Sequence, residues 1–370
     1  MALNENLLHG GDLISASARY NIPVESWLDL STGLNPVSYP VEGVDPVAFQ
    51  RLPYIQPEFL AAAARYYGSD QLLTVNGSQP VIQALPQCVE KLPVLLPAVG
   101  YDEHRHCWQK NGNPVAFYPA FDVDAARAVI EKALLGGKAF HLVVINPNNP
   151  SGLRFSPQEL AGWSRQMASG SYLIVDEAFV DTDPDTSVLA GYHAANMVVL
   201  RSFGKFFGLA GLRLGFVFAE PLLREKLQQC LGLWQVNGVA QSLATKALQD
   251  DRWQAQARQE IRLNAKATRQ MLLPLMSIIN PSREIQSTLF SSWLLNRTEA
   301  SALQDYFATK GILVRIIVVD KHHSLLRIGI LDRNDLNAME RLEQIALNYA
   351  QHLAAQRGYS TEREVVDVCE

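Results

Sequence analysis

Short apolar runs and amphipathic stretches alternate along most of the chain. Residues 94–97, 115–118, 142–146, 172–175, 197–200 and 214–219 read as strands, with helical patterns over 125–135 and 157–167 between them. Such alternation predicts a mainly parallel sheet with helices on both faces. Upstream, 13–20 reads as a helix broken by Asn21 to Pro23, 27–30 as a strand and 58–67 as a helix. Between 74 and 79 a strand end turns into a helix start, with Gly77 at the turn. Downstream, one long helical pattern runs from about 238 to 273 and links two domains. Strands at 290–295, 314–318 and 325–330, with helices at 298–310 and 334–357, predict a smaller α+β domain. The expected organisation is an N-terminal arm (1–35), a large domain (36–245), a small C-terminal domain (246–357) and a polar, fraying tail (358–370).

Composition narrows the class. At 370 residues the chain is long enough for two domains sharing a large core, and 48% hydrophobic with 19% charged residues is ordinary for a globular enzyme. A net charge of −5 spread along the sequence argues against nucleic acid as the main partner. No basic run suggests a membrane-surface patch, no apolar run approaches a membrane span, and the start lacks a signal pattern. Cys88, Cys107, Cys230 and Cys369 have no CxxC spacing, which predicts reduced thiols in a cytoplasmic protein. His104, His106 and Cys107, and likewise His322 and His323, fit no common zinc spacing, so no metal is expected.

Candidate chemistry concentrates at Arg201-Ser-Phe-Gly-Lys205-Phe-Phe-Gly-Leu-Ala-Gly-Leu-Arg213-Leu-Gly215. Lys205 sits among Phe, Leu and Gly, with Ser202 three residues before it and Arg213 eight after. Desolvation lowers a lysine's pKa, and an amine near neutrality adds to a carbonyl to form a Schiff base. A hydroxyl and a guanidinium beside it make a phosphate site. A phosphorylated, carbonyl-bearing cofactor, pyridoxal 5′-phosphate (PLP), answers both needs. The same stretch also suits a glycine-rich surface loop with solvated charges. Two further stretches follow strands: Asn146-Pro-Asn-Asn149-Pro-Ser-Gly152 and Asp176-Glu-Ala-Phe179. Open α/β sheets place their ligands at such strand ends. Gly77–Ser78 is an anion-binding helix start or an ordinary cap, and Asp176 a site carboxylate or an N-cap.

In order and spacing over most of the chain, these motifs resemble the aspartate aminotransferase superfamily, fold type I of the PLP-dependent enzymes. The resemblance implies that Lys205 carries PLP, that Asp176 holds the pyridine nitrogen protonated, and that Asn149 donates to the phenolic oxygen. Phe179 stands where many relatives have a tyrosine making the same contact. Ser202, Arg213 and the Gly77–Ser78 backbone match the phosphate cup, and Arg327 matches the arginine that takes the substrate α-carboxylate.

Four stretches are similar to the cobalamin-pathway L-threonine-O-3-phosphate decarboxylases: His9-Gly10-Gly11, Leu28-Asp-Leu-Ser-Thr-Gly33-Leu-Asn-Pro36, Tyr101-Asp-Glu-His104 and Trp234-Gln-Val-Asn237. They imply substrate contacts from His9, Gly10 and Gly33, and a stacking role on the cofactor ring for His104. Two positions depart from the pattern. Leu331 stands where some decarboxylases have a second arginine, for which Arg333 is a substitute. Leu52 stands where relatives have a tyrosine reaching the partner subunit's cofactor phosphate, and Tyr54 is the alternative. The expected activity is decarboxylation of L-threonine O-3-phosphate to (R)-1-amino-2-propanol O-2-phosphate by a cytoplasmic homodimer with shared active sites. The alternatives are a histidinol-phosphate-type aminotransferase and, more distantly, a non-catalytic PLP-binding relative.

Overall fold

A computed structural model describes residues 9–192 and 194–357; the expected tail, Cys369 and the first eight residues of the arm lie outside the described residues. The chain divides into two compact units, one of residues 37–258 and one joining the described residues up to Pro36 with those from Gln259 onward.

The larger unit is built on a seven-stranded sheet in the spatial order Leu72–Val75, Gly215–Phe218, Met197–Ser202, Leu173–Asp176, His141–Ile145, Val94–Pro97, Val115–Tyr118. Gly215–Phe218 runs antiparallel to both its neighbours, and the remaining pairs are parallel. Every residue of Val94–Pro97, His141–Ile145 and Leu173–Asp176 is buried, which is why these strands read as largely apolar runs, broken only by His141 at one start and Asp176 at one end. The edge strand Val115–Tyr118 buries only Tyr118. Ile145, Asp176 and Leu200 align across three parallel strands, so the loops after them leave one edge of the sheet side by side.

Local chemistry sets the helix ends. Helix Pro157–Gln166 starts with a Ser156–Glu159 capping box and proline in its first turn. Asp122 caps Val123–Leu135 by accepting from the Asp124 and Ala125 N–H groups. The helix expected over 238–273 is two, Gly238–Gln249 and Asp251–Ile279. Asp250 leaves helical backbone between them, and its carboxylate accepts from Trp253 N at 3.0 Å to start the second. Apolar periodicity continues across this break, which hides it from a pattern reading.

The smaller unit carries a four-stranded antiparallel sheet, Arg315–Val318, His323–Gly329, Phe290–Asn296 and Arg283–Gln286. A separate parallel pair joins Leu28–Asp29 to Ile312–Leu313. Leu275, Trp293, Phe307, Leu326 and Leu342 form its core, and Ala16 of helix Leu13–Tyr20 packs with Trp27 and Ala308.

Candidate active site

In the larger unit, three separated stretches, Gly77–Ser78, Ser202 and Arg213 to Gly215, converge on one cup. Ser202 faces Gly215 across the antiparallel pair. A Cβ on Gly215 would lie 2.8 Å from Gly77 C and 2.9 Å from Ser78 N, and one on Gly77 would lie 2.7 Å from Arg213 Nη2. Glycine at both positions therefore lets backbone and guanidinium close up. Arg213 itself adopts φ 53°, a left-handed conformation that costs a non-glycine residue about 1–3 kcal/mol, and donates to Ala210 O at 3.1 Å. Helix Ser78–Cys88 starts at the cup with no side-chain cap, leaving backbone N–H groups for a ligand. A guanidinium, a hydroxyl and helix-start N–H groups fit a phosphate ester.

Beside the cup, the Asp176 carboxylate is buried at the end of its strand. It accepts from Ala178 N at 3.1 Å, and its other oxygen lies 3.0 Å from His104 Nε2. The imidazole edge thus engages Asp176, a placement different from the cofactor stacking that the resemblance implied for His104. Tyr101, one turn earlier, sets its ring edge-on to His104 and donates to Gln79 Oε1 at 2.8 Å. Gln79 in turn donates to Glu103 at 2.7 Å, so Tyr101 bridges the cup's helix and the His104 helix. Lys205 Nζ lies 5.6 Å from the centre of the Phe179 ring. The loop bearing Asn149 is tied down by its neighbours: Asn146 bonds Phe155 in both directions at 2.9 Å, and Asn148 donates to Val99 O and Ser151 Oγ at 2.8 Å.

Adjacent to these groups lies a fully buried ion cluster that the sequence reading missed. Arg201 donates to Glu177 at 2.9 Å, to Ser187 Oγ at 3.0 Å and to Asp181, with its guanidinium 4.7 Å above the Tyr67 ring. Ser187 Oγ and Val188 N donate to Glu177 at 2.6 and 2.7 Å, and Tyr66 donates to Asp181 at 3.2 Å. Burial opposes the charge on Arg201, but the Asp181 and Glu177 carboxylates outweigh it and raise its pKa. Burial pushes the Glu177 carboxyl up, against Arg201 and its hydrogen bonds. The available signal was three charges set in apolar surroundings, at Glu177, Asp181 and Arg201.

The smaller unit gathers its own group. Arg327, buried, donates to Ser31 O at 2.5 Å, with its guanidinium 5.3 Å from the Phe290 ring centre. Ser31 Oγ accepts from Gly11 N at 2.8 Å and donates to Asp29 at 2.6 Å. A Cβ on Gly10 would stand 2.4 Å from Ser31 O, so this arm glycine presses on the same carbonyl. Gly33 is buried nearby in sequence, and His9 is exposed. Arg315 stands directly opposite Arg327 on the antiparallel ladder. Burial, then Arg315, pull Arg327 down to about 9, with Asp29 acting in the other direction. It therefore remains charged at neutral pH. Arg333, by contrast, makes a half-exposed ion pair with Glu260 at 3.0 Å, and Leu331 N donates to Thr268 at 2.9 Å.

The family model for aminotransferase class I and II matches residues 46–342. The chain belongs to that family. Threonine-phosphate decarboxylase of Pseudomonas aeruginosa is 39% identical over 346 residues, 93% of this chain and 98% of that protein. A second threonine-phosphate decarboxylase, from Sinorhizobium sp, is 41% identical over 253 residues, 66% of this chain and 72% of its own length. Among solved structures, the histidinol-phosphate aminotransferase of Sinorhizobium meliloti in complex with pyridoxal-5′-phosphate superimposes with a TM-score of 0.71 at 17% identity, covering 95% of this chain and 100% of that one. The mainly parallel α/β architecture is that of fold type I. Among the described residues no helix is long and apolar enough to cross a membrane, and no group of three His, Cys, Asp or Glu side chains is placed to hold a metal ion.

Proposed function

We propose that this protein is a PLP-dependent lyase that decarboxylates L-threonine O-3-phosphate to (R)-1-amino-2-propanol O-2-phosphate, a step of cobalamin biosynthesis. The observation that carries the reading is near end-to-end similarity to the threonine-phosphate decarboxylase of Pseudomonas aeruginosa, 39% over 93% of the chain. PLP, when bound, supplies the electron sink for the pair left at the α-carbon when CO₂ departs. Gly77, Ser78, Ser202 and Arg213 hold the cofactor phosphate, and Lys205 Nζ anchors its carbonyl carbon. With its amine free, Lys205 would be the residue that delivers a proton to the α-carbon. Asp176 keeps the ring nitrogen protonated through a charged hydrogen bond worth about 1.5–3 kcal/mol. His104 acts through Asp176 by fixing its carboxylate. Tyr101, with its hydroxyl anchored beside the cup, offers the stacking face, and Asn149 donates to the phenolic oxygen.

The substrate brings two anions. Arg327 takes the α-carboxylate, and Arg315, facing it across the ladder, takes the phosphate and supplies the second cation that Leu331 lacks. His9, Gly10 and Gly33 complete the anion contacts from the arm. Like charges set opposite on a sheet destabilise it, so a dianionic ligand would relieve this pair.

The larger unit exposes Phe49, Leu52, Tyr54, Ile55 and Leu60, together with Leu233 and Trp234. Gly238 packs on Ala48, which brings the two segments to one face. An apolar face of this kind suits a homodimer in the cytoplasm, with Leu52 and Tyr54 meeting the partner subunit. The test is to incubate PLP-loaded protein with L-threonine O-3-phosphate and assay CO₂, and in parallel with histidinol phosphate and 2-oxoglutarate. CO₂ release with no glutamate formed is the expected result; glutamate without CO₂ would assign the aminotransferase activity.

A further inference from the structure

Away from the active site, two thiols from distant parts of the larger unit meet. Cys88 is the last residue of helix Ser78–Cys88 and is buried, whereas Cys230 lies exposed near the end of helix Pro221–Leu231. Their Sγ atoms are 3.4 Å apart across 142 residues of chain. The helices beneath them are fixed by a shared apolar cluster that includes Val81, Leu85, Leu223 and Leu227. The sulfurs are thus held together by the fold.

We propose that Cys88 and Cys230 are a modification site: a dithiol that a peroxide converts to an intramolecular disulfide. A disulfide needs the sulfurs at about 2.05 Å, roughly 1.4 Å closer than they stand, within reach of side-chain rotation at two helix ends. Exposure and burial divide the roles. Cys230 meets the oxidant, and its thiolate attacks one peroxide oxygen. The O–O bond breaks, a sulfenic acid forms, and the departing hydroxide takes up a proton as water. The Cys88 sulfur then attacks the Cys230 sulfur. The S–S bond forms as the S–O bond breaks, and hydroxide leaves with the Cys88 proton as a second water. One peroxide gains two electrons and the two thiols lose them. Burial, reinforced by the neighbouring Cys230, pushes the Cys88 thiol up to about 12, which keeps it from reacting with peroxide first; its place as the resolving thiol rests on its sulfur standing 3.4 Å from that of Cys230. Cys107 is buried alike, with its thiol raised to about 11, and serves as an internal control.

The cross-link would join the far end of the helix that starts at the phosphate cup to the helix preceding exposed Leu233 and Trp234. The closed loop contains Asp176, Lys205 and Arg213, so it restricts the unfolded chain around those three residues.

Native PLP-loaded protein is treated with stoichiometric hydrogen peroxide, alkylated, digested without reductant and mapped by mass spectrometry, in wild type and Cys230→Ser. The expected result is a Cys88–Cys230 peptide pair 2 Da lighter than its two thiols, alkylatable Cys107, and a higher thermal midpoint that dithiothreitol reverses. Cys230→Ser should match the reduced wild type's midpoint and show neither change. Over-oxidised Cys230 with Cys88 still alkylatable after denaturation, or a disulfide joining two copies, would overturn the proposal.

Discussion

Two buried arginines, one in each unit, are treated in opposite ways. Arg201 lies between Glu177 and Asp181, and their carboxylates raise its pKa despite burial. Arg327 is equally enclosed, yet it faces a second arginine across the ladder and is pulled down to about 9. The first cation is compensated by its own fold. The second faces a like charge across the ladder, with Asp29 acting against that repulsion. A buried charge compensated internally reads as architecture, and one held beside a like charge reads as a binding site.

Removing the cation separates the two cases most sharply at Arg201. Arg201→Met would leave two carboxylates buried without their counter-ion, costing about 3–5 kcal/mol of unfolding free energy in urea titrations. Unchanged stability would make the cluster dispensable and erase the contrast. Arg327→Gln should do the reverse. Its thermal midpoint should stay level or rise as the repulsion from Arg315 is relieved. Its kcat/KM for L-threonine O-3-phosphate should fall roughly 100-fold, the equivalent of a charged hydrogen-bonded contact. A folding defect with normal turnover in the survivors would move Arg327 into the architectural class.

His9→Ala sharpens the ligand side of the comparison. It should lower kcat/KM for the phosphorylated substrate about tenfold, one charged contact at the rim of the site, while the absorbance band of bound PLP stays the same. A changed band would tie His9 to the cofactor instead. The smallest effect concerns His141, which shows a third way of burying a base. It bonds Glu90 O through Nε2 at 2.8 Å and accepts from Tyr172 N through Nδ1 at 3.1 Å, a neutral arrangement. Burial depresses its pKa below 6.5. Its stabilising contribution is therefore present above pH 6.5 and lost as pH falls through the folded value. The slope is at most about 1.4 kcal/mol per pH unit. Chemical denaturation between pH 7.5 and 5.5 should show that slope in wild type and less of it in His141→Leu, and equal slopes would assign it to other groups.

The sheet was legible because its inner strands are buried on both faces and so are apolar over most of their length, as in Leu142–Ile145 and Leu173–Val175. The candidate cofactor residues stood out because Lys205, Asp176 and Arg213 interrupt or end apolar runs with charge. Relations between distant residues were not. The His104 contact with Asp176 spans 72 residues and depends on how helix Glu103–Lys110 is turned. Arg315 meets Arg327 only through the register of two antiparallel strands, which no periodicity encodes. The Glu177–Arg201–Asp181 cluster likewise needs the loop after Leu173–Asp176 folded against strand Met197–Ser202.

The measurement that bears most directly on the two-anion assignment is kcat/KM for L-threonine O-3-phosphate and for L-threonine, in wild type and in Arg315→Gln, taken as a double difference. CO₂ release is the readout for both substrates. If Arg315 holds the phosphate, the variant loses at least tenfold on the phosphorylated substrate and close to nothing on L-threonine. Equal losses on both would show that Arg315 supports the strand or the carboxylate site, and the second anion would have to be read elsewhere.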